Sequence, residues 1–109
     1  MTHDNIVADK SVDFAIRITN CYKYLVREKR EDIMSKQLFR SGTSIGANIH
    51  EGIQGQSRAD FVSKLNIALK EASETSYWLV ALHKPKWVIK KQITIIKIIL
   101  STNYHNYRN

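Results

Sequence analysis

The chain has 109 residues, 43% of them apolar and 25% charged, which suits one domain with one modest core and excludes wholesale disorder. Four glycines and a single proline leave little turn chemistry for a many-stranded sheet, and the lone cysteine excludes an internal disulfide or a cysteine-cluster metal site. The net charge of +7 invites a nucleic-acid partner, yet it is uneven: residues 1–82 hold 11 Lys and Arg and all 10 Asp and Glu, while residues 83–109 hold six Lys and Arg and no acid.

The N-terminal MTHDNIVADKSVDF has no apolar run and carries three aspartates, so it does not read as a secretory signal. The densest apolar stretch, Ile93 to Leu100, is interrupted by Lys97 and falls far short of the roughly 20 residues a membrane-spanning helix needs. A soluble, cytoplasmic protein with no membrane association is expected.

A first helix is predicted over about 9–29. Ala8, Val12, Ala15, Ile18 or Thr19, Tyr22, Leu25 and Val26 recur at spacings of three and four, which places them along one face. Cys21 lies beside this stripe and reads as a small packing residue, since no cationic activator is evident. The charged segment Lys29 to Met34 is a connection. A second helix is predicted over about 35–51, with Leu38, Ile45 and Ile49 as its apolar line. Ser41, Gly42, Thr43, Ser44, Gly46 and Ala47 make it a poor helix by propensity. Small residues at helical spacing instead let a neighbouring backbone approach closely. A phosphate-binding loop is the rival reading, but SGTSIG lacks the Gly-Lys-Ser/Thr ending and no apolar strand precedes it.

Gly52, Gly55 and Gln56 mark a turn, and Ser57 with Asp60 makes a helix start, hydroxyl capping a free N–H and carboxylate favouring the positive helix end. A third helix is predicted over about 57–84, ended by Pro85. Its Phe61, Leu65, Ala68, Ala72, Thr75, Leu79 and Leu82 form a seam at alternating four- and three-residue spacing. A fourth helix is predicted over about 87–101, apolar over most of its surface, before a polar tail at 102–109. The fold class is therefore all-α, an antiparallel up-down four-helix bundle whose long seams point to a homo-oligomer.

No catalytic residue, metal or cofactor is expected. No glutamate has a histidine three residues on, and His3, His50, His83 and His105 are scattered. Glu71 and Glu74 share a helix side but lack a facing cleft. Carboxylates satisfied by Lys, Arg or Asn48 of neighbouring helices are the preferred reading. Ser41, Thr43 and Ser44 have no evident base partner.

The segments SKQLFRSGTSIGANIHEG (35–52) and DFVSKLNIALKEASETSYWL (60–79) resemble the bacterial four-helix bundle family encoded in intervening sequences of large-subunit (23S) ribosomal RNA genes. That family is related to the accessory variability protein of diversity-generating retroelements. The resemblance covers most of residues 9–84. It implies an up-down bundle, a ring-like homopentamer and no established enzymatic activity; the retroelement relatives bind nucleic acid and a reverse transcriptase. By resemblance, Arg40, Ser41, Ser44, Ile45, Asn48, Glu51 and Gly52 match the second-helix signature, and Phe61, Leu65, Ala68, Glu71, Glu74, Thr75 and Trp78 the third. Their mixture of types reads as interhelical packing and polar networks. The acid-free segment 85–109 departs from the family, whose fourth helix carries both acids and bases.

Two functions follow as expectations. One is sequence-independent binding of RNA or DNA by the oligomer, through Lys84, Lys86, Lys90 and Lys91 with Arg40 as a further candidate. The other is a scaffold for a protein partner such as a reverse transcriptase.

Overall fold

A computed structural model describes residues 3–84, which form three α-helices: α1 (His3–Arg27), α2 (Met34–Ile53) and α3 (Arg58–Ala81). The expected fourth helix, the tail, and with them Lys86, Lys90 and Lys91, lie outside the described residues. Among the described residues there is no strand, and no helix is long and apolar enough to cross a membrane.

Contact pairs fix the directions. Along α1, Ser11 lies against Gly46, Ile18 against Gly42 and Tyr22 stacks on Phe39, so positions rise on α1 as they fall on α2. Between α2 and α3, Arg40 meets Glu71 and Glu74, Glu51 meets Lys64, and Gly52 lies against Leu65. Both neighbours are therefore antiparallel to α2, and the C-terminal ends of α1 and α3 share one end of the bundle. α2 is the central element, packed against both other helices.

The core is drawn from all three. Leu38, Ile45 and Ile49 of α2 are completely buried, as are Ala68 and Ala72 of α3, with Phe61, Leu65 and Leu79 nearly so. The predicted α3 seam is thus the core face, with Leu82 half-buried at its end. On α1 the buried face differs from the predicted stripe. Ala8, Ile18 and Leu25 are inside, but so are Ser11 and Phe14, while Val12 is 44% exposed. The reason lies on α2. A β-carbon placed on Gly46 would sit 3.0 Å from Ser11 Oγ, and one on Gly42 would sit 2.9 Å from Ile18 Cγ2. The two backbones approach so closely at Gly46 that a serine is accommodated opposite it, and contact there follows fit ahead of hydrophobicity. Ser11 satisfies its hydroxyl on the Ala8 carbonyl at 2.7 Å.

The helix ends have local causes. α1 is already helical at His3, ahead of the predicted start. Ile33 occupies the N-cap of α2 and offers no capping side chain. Glu31 supplies it from two residues upstream, accepting from the backbone N–H groups of Ile33 (3.2 Å), Met34 (3.0 Å) and Ser35 (2.7 Å). Burial pushes the Glu31 carboxyl up, but those hydrogen bonds outweigh it and hold the group below the usual carboxylate range. α3 starts as the sequence indicates, with Ser57 Oγ accepting from Asp60 N at 3.1 Å. Its C-terminus comes before Pro85. His83 N–H donates to Val80 O at 3.0 Å and Lys84 N–H to Leu79 O at 2.8 Å, a Schellman closure with His83 at φ 57°.

Candidate functional site

Six of the signature residues, Arg40, Ser41, Glu71, Glu74, Thr75 and Trp78, meet at the α2–α3 contact. Arg40 projects from α2 to the two carboxylates one turn apart on α3. Its Nη1 lies 3.1 Å from Glu71 Oε2, and its Nη2 is paired with Glu74 Oε2. Trp78, one turn further along, donates its indole N–H to the same Glu74 oxygen at 3.1 Å. That indole hydrogen bond, opposed by burial and reinforced by Arg40, holds Glu74 below its ordinary range. The Glu74 hydrogen bond in turn keeps the Arg40 guanidinium more firmly protonated. Beneath this clasp, Thr75 Oγ1 donates to the Glu71 carbonyl at 2.8 Å and lies 2.9 Å from Ser41 Oγ, both residues fully buried.

This geometry settles what Glu71 and Glu74 touch. They are carboxylates satisfied by a cation from the neighbouring helix, the partner being Arg40. A general acid needs a carboxyl whose pKa is raised toward neutrality; Glu74 is shifted the other way. Arg40 was also a nucleic-acid candidate. Its side chain is 50% exposed, but its charge already faces two carboxylates, so a phosphate would have to compete with both.

The remaining signature residues divide. Ser44 Oγ donates to the Arg40 carbonyl at 2.6 Å and Asn48 Nδ2 to the Ser44 carbonyl at 2.8 Å, so both bond back along their own helix. Glu51 makes an exposed ion pair with Lys64 across to α3 at 2.9 Å. Gly52 is buried where a β-carbon would lie 3.1 Å from both Leu65 Cδ1 and Lys64 Cβ. It marks a close α2–α3 approach.

Lys84 is the one C-terminal lysine candidate within the described residues. Its ammonium lies 5.1 Å from the Tyr24 ring centroid, with that of Lys29 at 5.9 Å. Sequence reasoning missed Tyr24 and Lys29, which sit some 55 to 60 positions away along the chain. Only the antiparallel path of α2 brings the two helix ends together. Cys21 is half-buried near the same lysine; burial raises its thiol pKa and outweighs the opposing pull of Lys84, so it stays a protonated packing group.

On the other side of α1, an open groove of about 440 Å³ runs between α1 and α2. Val12, Ala15, Ile16, Ala47 and His50 line it, with Val12 and Ile16 exposed by 44% and 54%. Among the described residues, no three His, Cys, Asp or Glu side chains come together as a metal-binding group.

Comparison with known proteins agrees with these signatures. The family model for the 23S rRNA-intervening sequence protein matches residues 3–102. The chain is similar to a protein of unknown function from the S23 ribosomal protein family of Bacteroides thetaiotaomicron, known from its crystal structure. The two are 49% identical with a TM-score of 0.76, over 99% of this chain and 100% of that one. No protein of curated function matches.

Proposed function

This chain belongs to the 23S rRNA-intervening sequence protein family, and on that premise we propose a cytoplasmic, non-enzymatic homo-oligomer that binds nucleic acid without reading its sequence. In this proposal residues 87–101 add the fourth helix of an up-down bundle, and the bundles assemble as a homopentamer. The observation that carries the reading is the basic end of the molecule. Lys84 closes α3 beside Lys29 and Tyr24, and the chain continues from it with Lys86, Lys90 and Lys91 and no acid through residue 109. A ring would repeat that cluster around its rim, and phosphates would be held by charge alone. What supports a non-enzymatic reading is the engaged state of the carboxylates and hydroxyls of α2 and α3. Glu71 and Glu74 are clasped by Arg40, and the hydroxyls of Ser41, Thr43 and Ser44 are turned onto backbone carbonyls of their own helix.

The α1–α2 groove supports a second reading, a scaffold for a protein partner, because exposed Val12 and Ile16 offer apolar contact between two helices. In this second reading a reverse transcriptase would be one such partner, as the resemblance to retroelement accessory proteins implies. Native mass spectrometry of the full chain separates the readings. The first predicts a pentamer that retains oligonucleotide at low ionic strength. A monomer free of nucleic acid, carrying one co-purified protein after nuclease treatment, would reject it in favour of the scaffold.

A further inference from the structure

We propose that Tyr24 is a base-stacking platform, so that the basic end of the bundle selects single-stranded over duplex nucleic acid. The inference rests on the nucleic-acid reading above and deepens it by naming the form of the ligand.

Its basis is local. Tyr24 stands in the last turns of α1 and is 45% exposed, so part of its ring surface is open to contact. Two ammonium groups converge on it from different elements, Lys29 from the connection after α1 and Lys84 from the end of α3. Like charges drawn to one ring repel each other, and neither lysine forms an ion pair among the described residues. An anion from outside would relieve that repulsion.

More cations follow Tyr24 closely along the chain. Arg27, three residues after Tyr24, falls on the same side of α1, and Arg30 follows in the left-handed turn at φ 56°. Of the three acids between residues 28 and 32, Glu31 is turned onto the first turn of α2. By count, that leaves the two acids Glu28 and Asp32 to four cations, Arg27, Lys29, Arg30 and Lys84.

An exposed ring with two flexible ammonium groups over it matches what an unpaired nucleotide offers: a phosphate to which the lysines can turn, and a base for the π face they then leave. A duplex keeps its base faces inside the stack and would use only the lysines. The ring therefore contributes to one form of the ligand and not to the other.

The test measures binding of a labelled ~12-nucleotide single strand, and of its duplex, to the full chain, to Tyr24→Phe and to Tyr24→Leu. Circular dichroism checks that both variants fold. Tyr24→Leu should weaken single-strand binding roughly tenfold or more and leave duplex binding within about twofold. Tyr24→Phe, which keeps the ring, should bind as the parent does. Lys84→Gln should instead weaken both forms and lower the salt dependence by about one phosphate contact. If the parent binds both forms and Tyr24→Leu matches it on the single strand, the stacking platform is overturned while nucleic-acid binding stands. If the parent prefers the duplex, the selectivity is overturned. If it binds neither form at ~50 mM salt, the functional reading itself falls.

Discussion

Phe61→Ala should lower the unfolding free energy by about 3–5 kcal/mol, the range for emptying a buried aromatic site. Phe61 is 1% exposed in the first turn of α3, one turn before Leu65, and its carbonyl faces the backbone of Gly52 on α2. The site is closed from two helices, so the chain can collapse into the gap only by moving α3 against α2. A domain of this size has roughly 5–15 kcal/mol in total, so the variant should lose about 15–20 °C in midpoint at a fixed protomer concentration. Ile33→Ala is the control, since Ile33 is 76% exposed and its truncation should stay within about 0.5 kcal/mol. Thermal and urea unfolding of the two variants in parallel checks the assignment of the core. Equal midpoints would contradict it.

Arg40→Met should cost about 1–2 kcal/mol at pH 7. The figure is kept small because Arg40 and Glu74 are part-exposed, and pairs in contact with solvent are weak. What the substitution leaves behind adds to the loss, since Glu71 and Glu74 would face each other without a cation. The effect has a pH signature. Glu74 is held below its unfolded value of about 4.3, so its contribution is fully present above that value and is lost as pH falls through the folded pKa. The gap between parent and variant should therefore narrow toward zero as the pH is lowered from 5 through the Glu74 titration. A gap that stays constant with pH would mean that Arg40 contributes through its methylene stem alone.

How far these features were legible in the sequence depends on where their cause lies. The α3 seam and the Ser57 start are local, set by spacing within one helix and by a residue three positions from its target, and both were readable. The apolar line Leu38, Ile45 and Ile49 was equally plain. The α1 face was not, because Ser11 is buried to fit Gly46 on another helix, and periodicity ranks Val12 above a serine. The α2 cap escaped for a related reason: the rule looks for a capping side chain at the N-cap, and here Glu31 reaches in from two residues before it. Glu71 and Glu74 were recognisable as carboxylates in need of a partner, but choosing Arg40 over other cations requires the α2–α3 register. The Tyr24–Lys29–Lys84 cluster needed the direction of all three helices.

The central functional claim, binding through a basic surface without sequence readout, is tested most directly by a salt titration. The affinity of the full chain for a labelled single strand would be measured from about 50 to 300 mM salt. Four or more phosphate contacts predict a linear fall of log affinity with log salt, losing roughly tenfold or more between 50 and 200 mM and equally for unrelated sequences. No binding at ~50 mM, or an affinity that does not change with salt, would contradict the account.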